Sequence, residues 1–150
     1  MNTENEVQGS FLYEHGAAVM RLQPYHIGHE RMILRMLKEC RHVSLVIGSI
    51  QERGTDRNPF NYTNRKKMVK NRLQRFMDTK QLWVYGLADI HNDVDWAPYV
   101  LDFINDQIHV DTIPPVEAYY CGSDYDGSWF KKHVKNLVMI DRTFQEIPYA

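Results

Sequence analysis

The stretch "AAVMRLQPYHIGHERMILRMLKEC", residues 17–40, changes its rhythm part-way along. Residues 17–20 are apolar without a break, as in a short buried strand. From Gly28 onward the apolar residues Met32, Ile33, Met36, Leu37 and Cys40 recur at helical spacing with charges between them. A strand therefore hands over to a helix across residues 21–29, and two histidines stand on either side of Gly28 at that junction. The first N–H groups of a helix have no intrahelical acceptor and carry a partial positive charge, so such a mouth favours an anion. His26 and His29, three apart, can donate to the same phosphate oxygens, Gly28 lets a ligand approach the backbone, and Arg21 can add a planar charged donor. Two blander readings stand beside this one. Paired histidines at a helix start are often surface decoration, and H-x-x-H is half of a zinc site. No H-E-x-x-H spacing exists and both cysteines lie in other segments, which weighs against a metal-ligand role.

Outward from this junction the alternation repeats. "VSLVIGS" (residues 43–49) is an apolar run closed by glycine, suited to a strand buried on both faces. A polar loop follows, and Thr63 or Asn64 can cap a helix bearing Met68, Val69, Leu73 and Phe76 on one side. "LWVYGL" predicts a third strand, and Asp95 is placed to cap a helix through Tyr99, Phe103 and Ile104. After Pro114 and Pro115, "VEAYYCGS" predicts a fourth strand, "SWFKKHV" a short helix and "LVMI" a fifth strand. Cys40 reads as helical and Cys121 as part of a strand. Strands separated by helices argue for an α/β fold, a Rossmann-like, doubly wound, parallel five-stranded sheet, because parallel neighbours need crossover connections. Ligands of such sheets bind beyond the carboxyl ends of the strands, where strand order reverses. Residues 21–29, 48–61, 86–96 and 122–127 are the segments expected there.

With 150 residues the chain has one domain's length, and residues 1–15 read as a peripheral N-terminal segment. An apolar fraction of 43%, a charged fraction of 25% and a net charge of −1 describe an ordinary globular composition and give no support to a nucleic-acid-binding surface. Two cysteines without C-x-x-C spacing suit a reduced, cytoplasmic chain, the polar N-terminus lacks the build of a signal peptide, and no apolar run nears the ~20 residues of a membrane span.

"MRLQPYHIGHE" (residues 20–30) resembles the H-x-G-H signature of the nucleotidyltransferase superfamily. In the fuller form R-x-Q-P-[FY]-H-x-G-H it resembles the archaeal-type nicotinamide-mononucleotide adenylyltransferases, including the adenylyltransferase half of bifunctional proteins that also carry a Nudix domain. The likeness continues in order. "VIGSIQERGTDRNPFNYTNR" is similar to the family's IGS-x-Q…NPF-x-x-x-ER segment, "DIHNDVDW" to its D-I-x-x-N…W segment, and "YCGSDYDGSWF" to the glycine-led loop after the fourth strand.

This resemblance implies a single nucleotidyltransferase domain over residues 1–150 that transfers AMP from ATP to nicotinamide mononucleotide, giving NAD and pyrophosphate, with Mg²⁺ accompanying ATP and no protein side chain binding a metal. It implies that His26 and His29 bind the triphosphate with Arg21 and Gln23 beside them, and that Arg65 stabilises the leaving pyrophosphate. Gly28, Ser49, Gln51, Asn58 and Gly122 would shape the ATP site. Trp96 would stack on the nicotinamide ring, with Asp89 and Asn92 around that ring and its carboxamide. Phe60 reads as structural, and Arg53 and Arg57 equally as solvated loop charges.

The chain departs from the family pattern at Met20, where glycine is usual, at Asn61, where threonine is usual, and at Asn64, where glutamate is usual. The family's late S-x-T-x-x-R motif would begin about where "FQEIPYA" stands, so that motif is expected beyond residue 150 or is absent. Two rivals follow. A pantetheine-phosphate or glycerol-phosphate nucleotidyltransferase would share His26 and His29 without needing Trp96, and a non-catalytic nucleotide-binding module would keep the pocket without turnover. Oligomeric state and nicotinamide-versus-nicotinate preference stay open at this level.

Overall fold

The structure is a computed structural model, and it describes residues 11–107, 113–122 and 124–140. Five strands, β1 (Tyr13–Met20), β2 (Cys40–Ile47), β3 (Leu82–Gly86), β4 (Ala118–Cys121) and β5 (Asn136–Met139), alternate with four helices. The helices are α1 (Ile27–Glu39), α2 (Tyr62–Asp78), α3 (Asp93–Gln107) and α4 (Asp124–Phe130). All strand pairs are parallel and their order is β3-β2-β1-β4-β5. The expected doubly wound sheet is therefore present, and strand order reverses between β1 and β4, the place where such folds leave a crevice.

Two apolar layers hold the helices to the sheet. On one face Ile33, Met36 and Leu37 of α1 and Val69 and Leu73 of α2 pack with Val43, Leu45 and Ile47 of β2. On the other, Ala97, Val100, Leu101 and Ile104 of α3 and Phe130 of α4 pack with Ala17, Val46 and Tyr119. Side chains alternate across a strand, so β2 supplies Leu45 to one layer and Val46 to the other, which is why its sequence reads as an unbroken apolar run. The Tyr119 and Phe130 rings stack with centroids 3.5 Å apart, seating α4 on β4. Gly86 closes β3 without a side chain for a visible reason: a Cβ there would lie 2.6 Å from the Tyr62 ring at the start of α2.

Several boundaries differ from expectation. The cap of α2 is Asn61, whose Oδ1 accepts from Asn64 N at 2.8 Å, neither Thr63 nor Asn64. At α3 the Asn92 Oδ1 accepts from Asp95 N at 3.1 Å, so Asn92 does the capping assigned to Asp95. Cys40 is not helical; it closes α1 in extended conformation and opens β2. The short helix lies earlier than "SWFKKHV", ending at Phe130, and residues 131–135 form turns. Most of the N-terminal segment and the "FQEIPYA" end lie outside the described residues.

Candidate active site

At the mouth of α1 the two histidines form one unit. His26 is the helix cap, with its Nδ1 accepting from Gly28 N at 3.1 Å, and the Nδ1 of His29 accepts in turn from His26 N at 3.3 Å. Imidazoles here fill the roles that serine and glutamate fill in a capping box. An Nδ1 that accepts cannot carry the ring proton, so each neutral ring carries it on Nε2 as a donor. The rings stack at 3.9 Å with 24° between planes, and both are half-buried. They lie face to face at the start of the helix.

Beside this mouth the loops after β1, β2 and β3 are tied together by polar side chains. Arg65, at the start of α2, is fully buried and donates from all five N–H groups to backbone carbonyls. Its Nη1 bonds Arg21 O and Gly48 O at 3.0 Å each, Nη2 bonds Ser49 O and Glu52 O at 3.3 Å each, and Nε bonds Asn61 O at 3.3 Å. The two carbonyls held by Nη1 directly precede Leu22 (φ 57°) and Ser49 (φ 50°), side-chain-bearing residues in the left-handed region. Backbone there is strained for such residues and persists only where its surroundings hold it. Arg65 is that hold. Where the resemblance implies contact with pyrophosphate, the structure shows the donors of Arg65 engaged by the scaffold. Burial lowers its pKa from the ordinary arginine value, with a smaller contribution from the charge of Arg21.

The two glutamines behave alike. Gln23 donates from Nε2 to Glu52 O (3.2 Å) and Phe60 O (2.9 Å) and accepts at Oε1 from Phe60 N (2.8 Å). Its amide pins the loop, with both N–H groups engaged by backbone carbonyls. Gln51 exchanges a pair of hydrogen bonds with the backbone of Asp89, Nε2 to O at 3.3 Å and N to Oε1 at 3.2 Å, joining the loops after β2 and β3. Asn58, buried, accepts at Oδ1 from Arg21 Nη1 at 3.2 Å and so aims that guanidinium.

A cavity of about 360 Å³ opens between these loops, lined by Arg21, Ser49, Asp89, Asn92, Trp96 and Trp129 among others. The structure thus brings together three residues expected around the mononucleotide and two expected near ATP. Gly122 directly follows β4, half-buried, and does not line this cavity. His26, His29, Gly28 and Gln51 do not line this cavity; the first three belong to the adjoining helix mouth. Trp129 and Asp93 are lining residues that the sequence reading did not single out. The segment expected beyond β4, residues 122–127, stops two short of Trp129. Among the described residues no group of three or more His, Cys, Asp or Glu side chains converges as a metal cage.

No protein-family model matches the chain. A nicotinamide-nucleotide adenylyltransferase of Pyrococcus horikoshii is 33% identical over 124 residues, covering 83% of this chain and 62% of that protein. The enzyme of the same name from Saccharolobus solfataricus is 35% identical over 81 residues, 53% of this chain and 47% of its own length. This chain is similar in sequence to nicotinamide-nucleotide adenylyltransferases of archaea. It spans roughly half to three-fifths of the length of these adenylyltransferases. In structure it is similar to the bifunctional NMN adenylyltransferase/ADP ribose pyrophosphatase of Francisella tularensis, with a TM-score of 0.72 at 22% identity over 86% of this chain and 38% of that one. A second structure of that bifunctional adenylyltransferase, complexed with AMP and a manganese ion, gives a TM-score of 0.71 at 24% identity, covering 89% of this chain and 39% of that one. The shared fold is the Rossmann-like nucleotidyltransferase fold.

Proposed function

We propose that the chain transfers the AMP moiety of ATP to nicotinamide mononucleotide, releasing pyrophosphate and giving NAD. The observation that carries this reading is the stacked pair at the mouth of α1, two imidazoles whose Nδ1 atoms are engaged by backbone N–H groups so that both rings carry their protons on Nε2. Together with the helix N-terminus they make a donor surface suited to a polyphosphate. The adjoining cavity supports the choice of acceptor: Trp96 offers an aromatic face to a pyridinium ring, Asp89 and Asn92 offer polar partners for its carboxamide, and Arg21 offers a cation for its phosphate.

The chemistry asks for little proton handling. The acceptor's 5′-phosphate is ionised near neutral pH, so its oxygen attacks the α-phosphorus of ATP while the bond to the bridging oxygen of pyrophosphate breaks. Positioning and charge neutralisation carry the rate. His26 and His29 act as donors to the triphosphate and the departing pyrophosphate, not as bases. Mg²⁺, arriving on the phosphate oxygens as part of the substrate, neutralises further charge. Arg65 serves indirectly, by holding the loops that present Arg21 and Ser49.

The test is direct. The chain, with ATP and Mg²⁺, is offered nicotinamide mononucleotide, nicotinate mononucleotide, phosphopantetheine or glycerol phosphate in parallel, and products are separated by chromatography. Dinucleotide formed from the pyridine mononucleotides alone is expected. Turnover of phosphopantetheine or glycerol phosphate instead, or nucleotide binding with no turnover, would replace this reading with a rival.

A further inference from the structure

The signature tyrosine carries a hydroxyl, and that hydroxyl is engaged. Tyr25 OH donates to Glu30 Oε1 at 3.0 Å, and Arg72 of α2 grips the same carboxylate with both prongs, Nε to Oε1 at 2.9 Å and Nη2 to Oε2 at 3.2 Å. Glu30 is in the first turn of α1, where the helix N-terminus also favours its charge, and its side chain is only 14% exposed although Arg72 is 63% exposed. The Tyr25 ring lies parallel to that of His29, with 11° between planes and centroids 6.3 Å apart, and the His26 ring stacks on His29 at 3.9 Å. His29 thus has both rings as neighbours.

We propose that Arg72, Glu30 and Tyr25 form a brace, anchored on α2, that fixes the ring of His29 in the orientation and tautomer in which Nδ1 accepts from His26 N and Nε2–H faces the substrate phosphates. The proposal rests on the reading of His29 as a phosphate donor. Each link has one polarity. Hydrogen bonding from Arg72 first, and then from Tyr25, holds the Glu30 carboxyl below its ordinary range, so it remains an acceptor at neutral pH. Burial first, and then Glu30, pushes the Tyr25 hydroxyl up, so it remains a donor. The two-pronged grip fixes the carboxylate plane, and with it the point to which the tyrosine is tied. Tyr25, Glu30 and Arg72 are positioning residues, since none is placed against the reacting atoms.

The experiment combines kinetics with a direct view of the ring. Tyr25→Phe keeps the aromatic face and deletes only the hydroxyl, Glu30→Gln removes the charge, and Arg72→Met removes the anchor from an exposed position. With the full chain and ¹⁵N-labelled histidine, the parent should show His29 as a single tautomer protonated on Nε2, and each variant should shift its two nitrogen signals toward tautomer averaging. Turnover should fall roughly 10-fold, with KM for the mononucleotide within about 2-fold of the parent. Tyr25→Phe combined with Arg72→Met should be no worse than either alone, because both cut one chain of contacts. An unchanged His29 spectrum in the three single variants overturns the brace, whatever happens to the rate. If the parent makes no dinucleotide, the adenylyl-transfer reading fails, and the spectra still decide the brace.

Discussion

The two ends of the sheet differ in what their polar groups enclose. Toward the amino ends of the strands, polar side chains close on neighbours in the packed interior: His15 Nε2 meets Ser44 Oγ at 2.7 Å and His15 Nδ1 meets Pro114 O at 2.8 Å, while Tyr120 OH donates to Glu39 Oε1 at 2.7 Å and lies 3.4 Å from Cys40 Sγ. At the carboxyl ends, Arg65, Gln23 and Gln51 reach for the backbone of loops, and Leu22, Ser49 and His91 all lie in the left-handed region. One end is polar and closed. The other spends its hydrogen bonds on keeping loops in shapes they would not hold alone, and there the cavity opens. Side chains hold backbone at both ends, since Gln81 Nε2 donates to Leu37 O and Cys40 O beside Lys80 (φ 65°), so what marks the site is that such bonds gather around an open cavity.

The largest way to break this contrast is Arg65→Met. Five carbonyls would lose their donor together, and the expected loss is about 3–5 kcal/mol of stability, measured as a shift in urea midpoint without a change in slope. Arg65→Lys should recover only part of it, because one ammonium cannot reach loops on several sides. A Met variant as stable as the parent would mean that the strained loops hold themselves. His29→Ala attacks the other half of the comparison, chemistry without architecture. Turnover should drop about 10²–10³-fold while the thermal midpoint stays near that of the parent. Equal turnover would remove the donor role.

The order of elements was legible in the sequence because the change from an apolar run to helical spacing at residues 17–40 is a local signal, and it recurs down the chain. Asn92 and Trp96 both line the cavity, being four apart across one helix start. The role of Arg65 was not legible. Its partners are carbonyls whose direction depends on the left-handed turns at Leu22 and Ser49, and nothing in either residue type announces that conformation. The cap of α2 was misplaced for a milder reason: Asn61, Thr63 and Asn64 are all competent caps, and the chain's path out of the 48–61 loop chooses among them.

Trp96→Ala sharpens the comparison within the open end by separating the cavity from the helix mouth. Loss of a stacking face should weaken nicotinamide mononucleotide binding by roughly 1–3 kcal/mol and leave ATP affinity unchanged, both read by calorimetry. Equal weakening of the two ligands would make Trp96 a packing residue and merge the two subsites into one.

The smallest effect is expected at the closed end, a pH dependence that vanishes at neutral pH. Burial depresses the pKa of His15, the positive charge of His42 acts in the same direction, and the Pro114 carbonyl and Glu117 oppose it. A histidine whose folded pKa lies below its unfolded value binds its proton more readily in the unfolded chain. Stability is therefore full above about 6.5 and is lost as pH falls from there through the folded pKa. In His15→Gln the thermal midpoint should decline less steeply with acid across that window, whatever constant offset the lost hydrogen bonds impose. Some slope should survive, since His42 is also held below its ordinary value by burial. A slope identical to the parent's would mean that His15 keeps its proton balance on unfolding, and that the closed end is as open to water as the other.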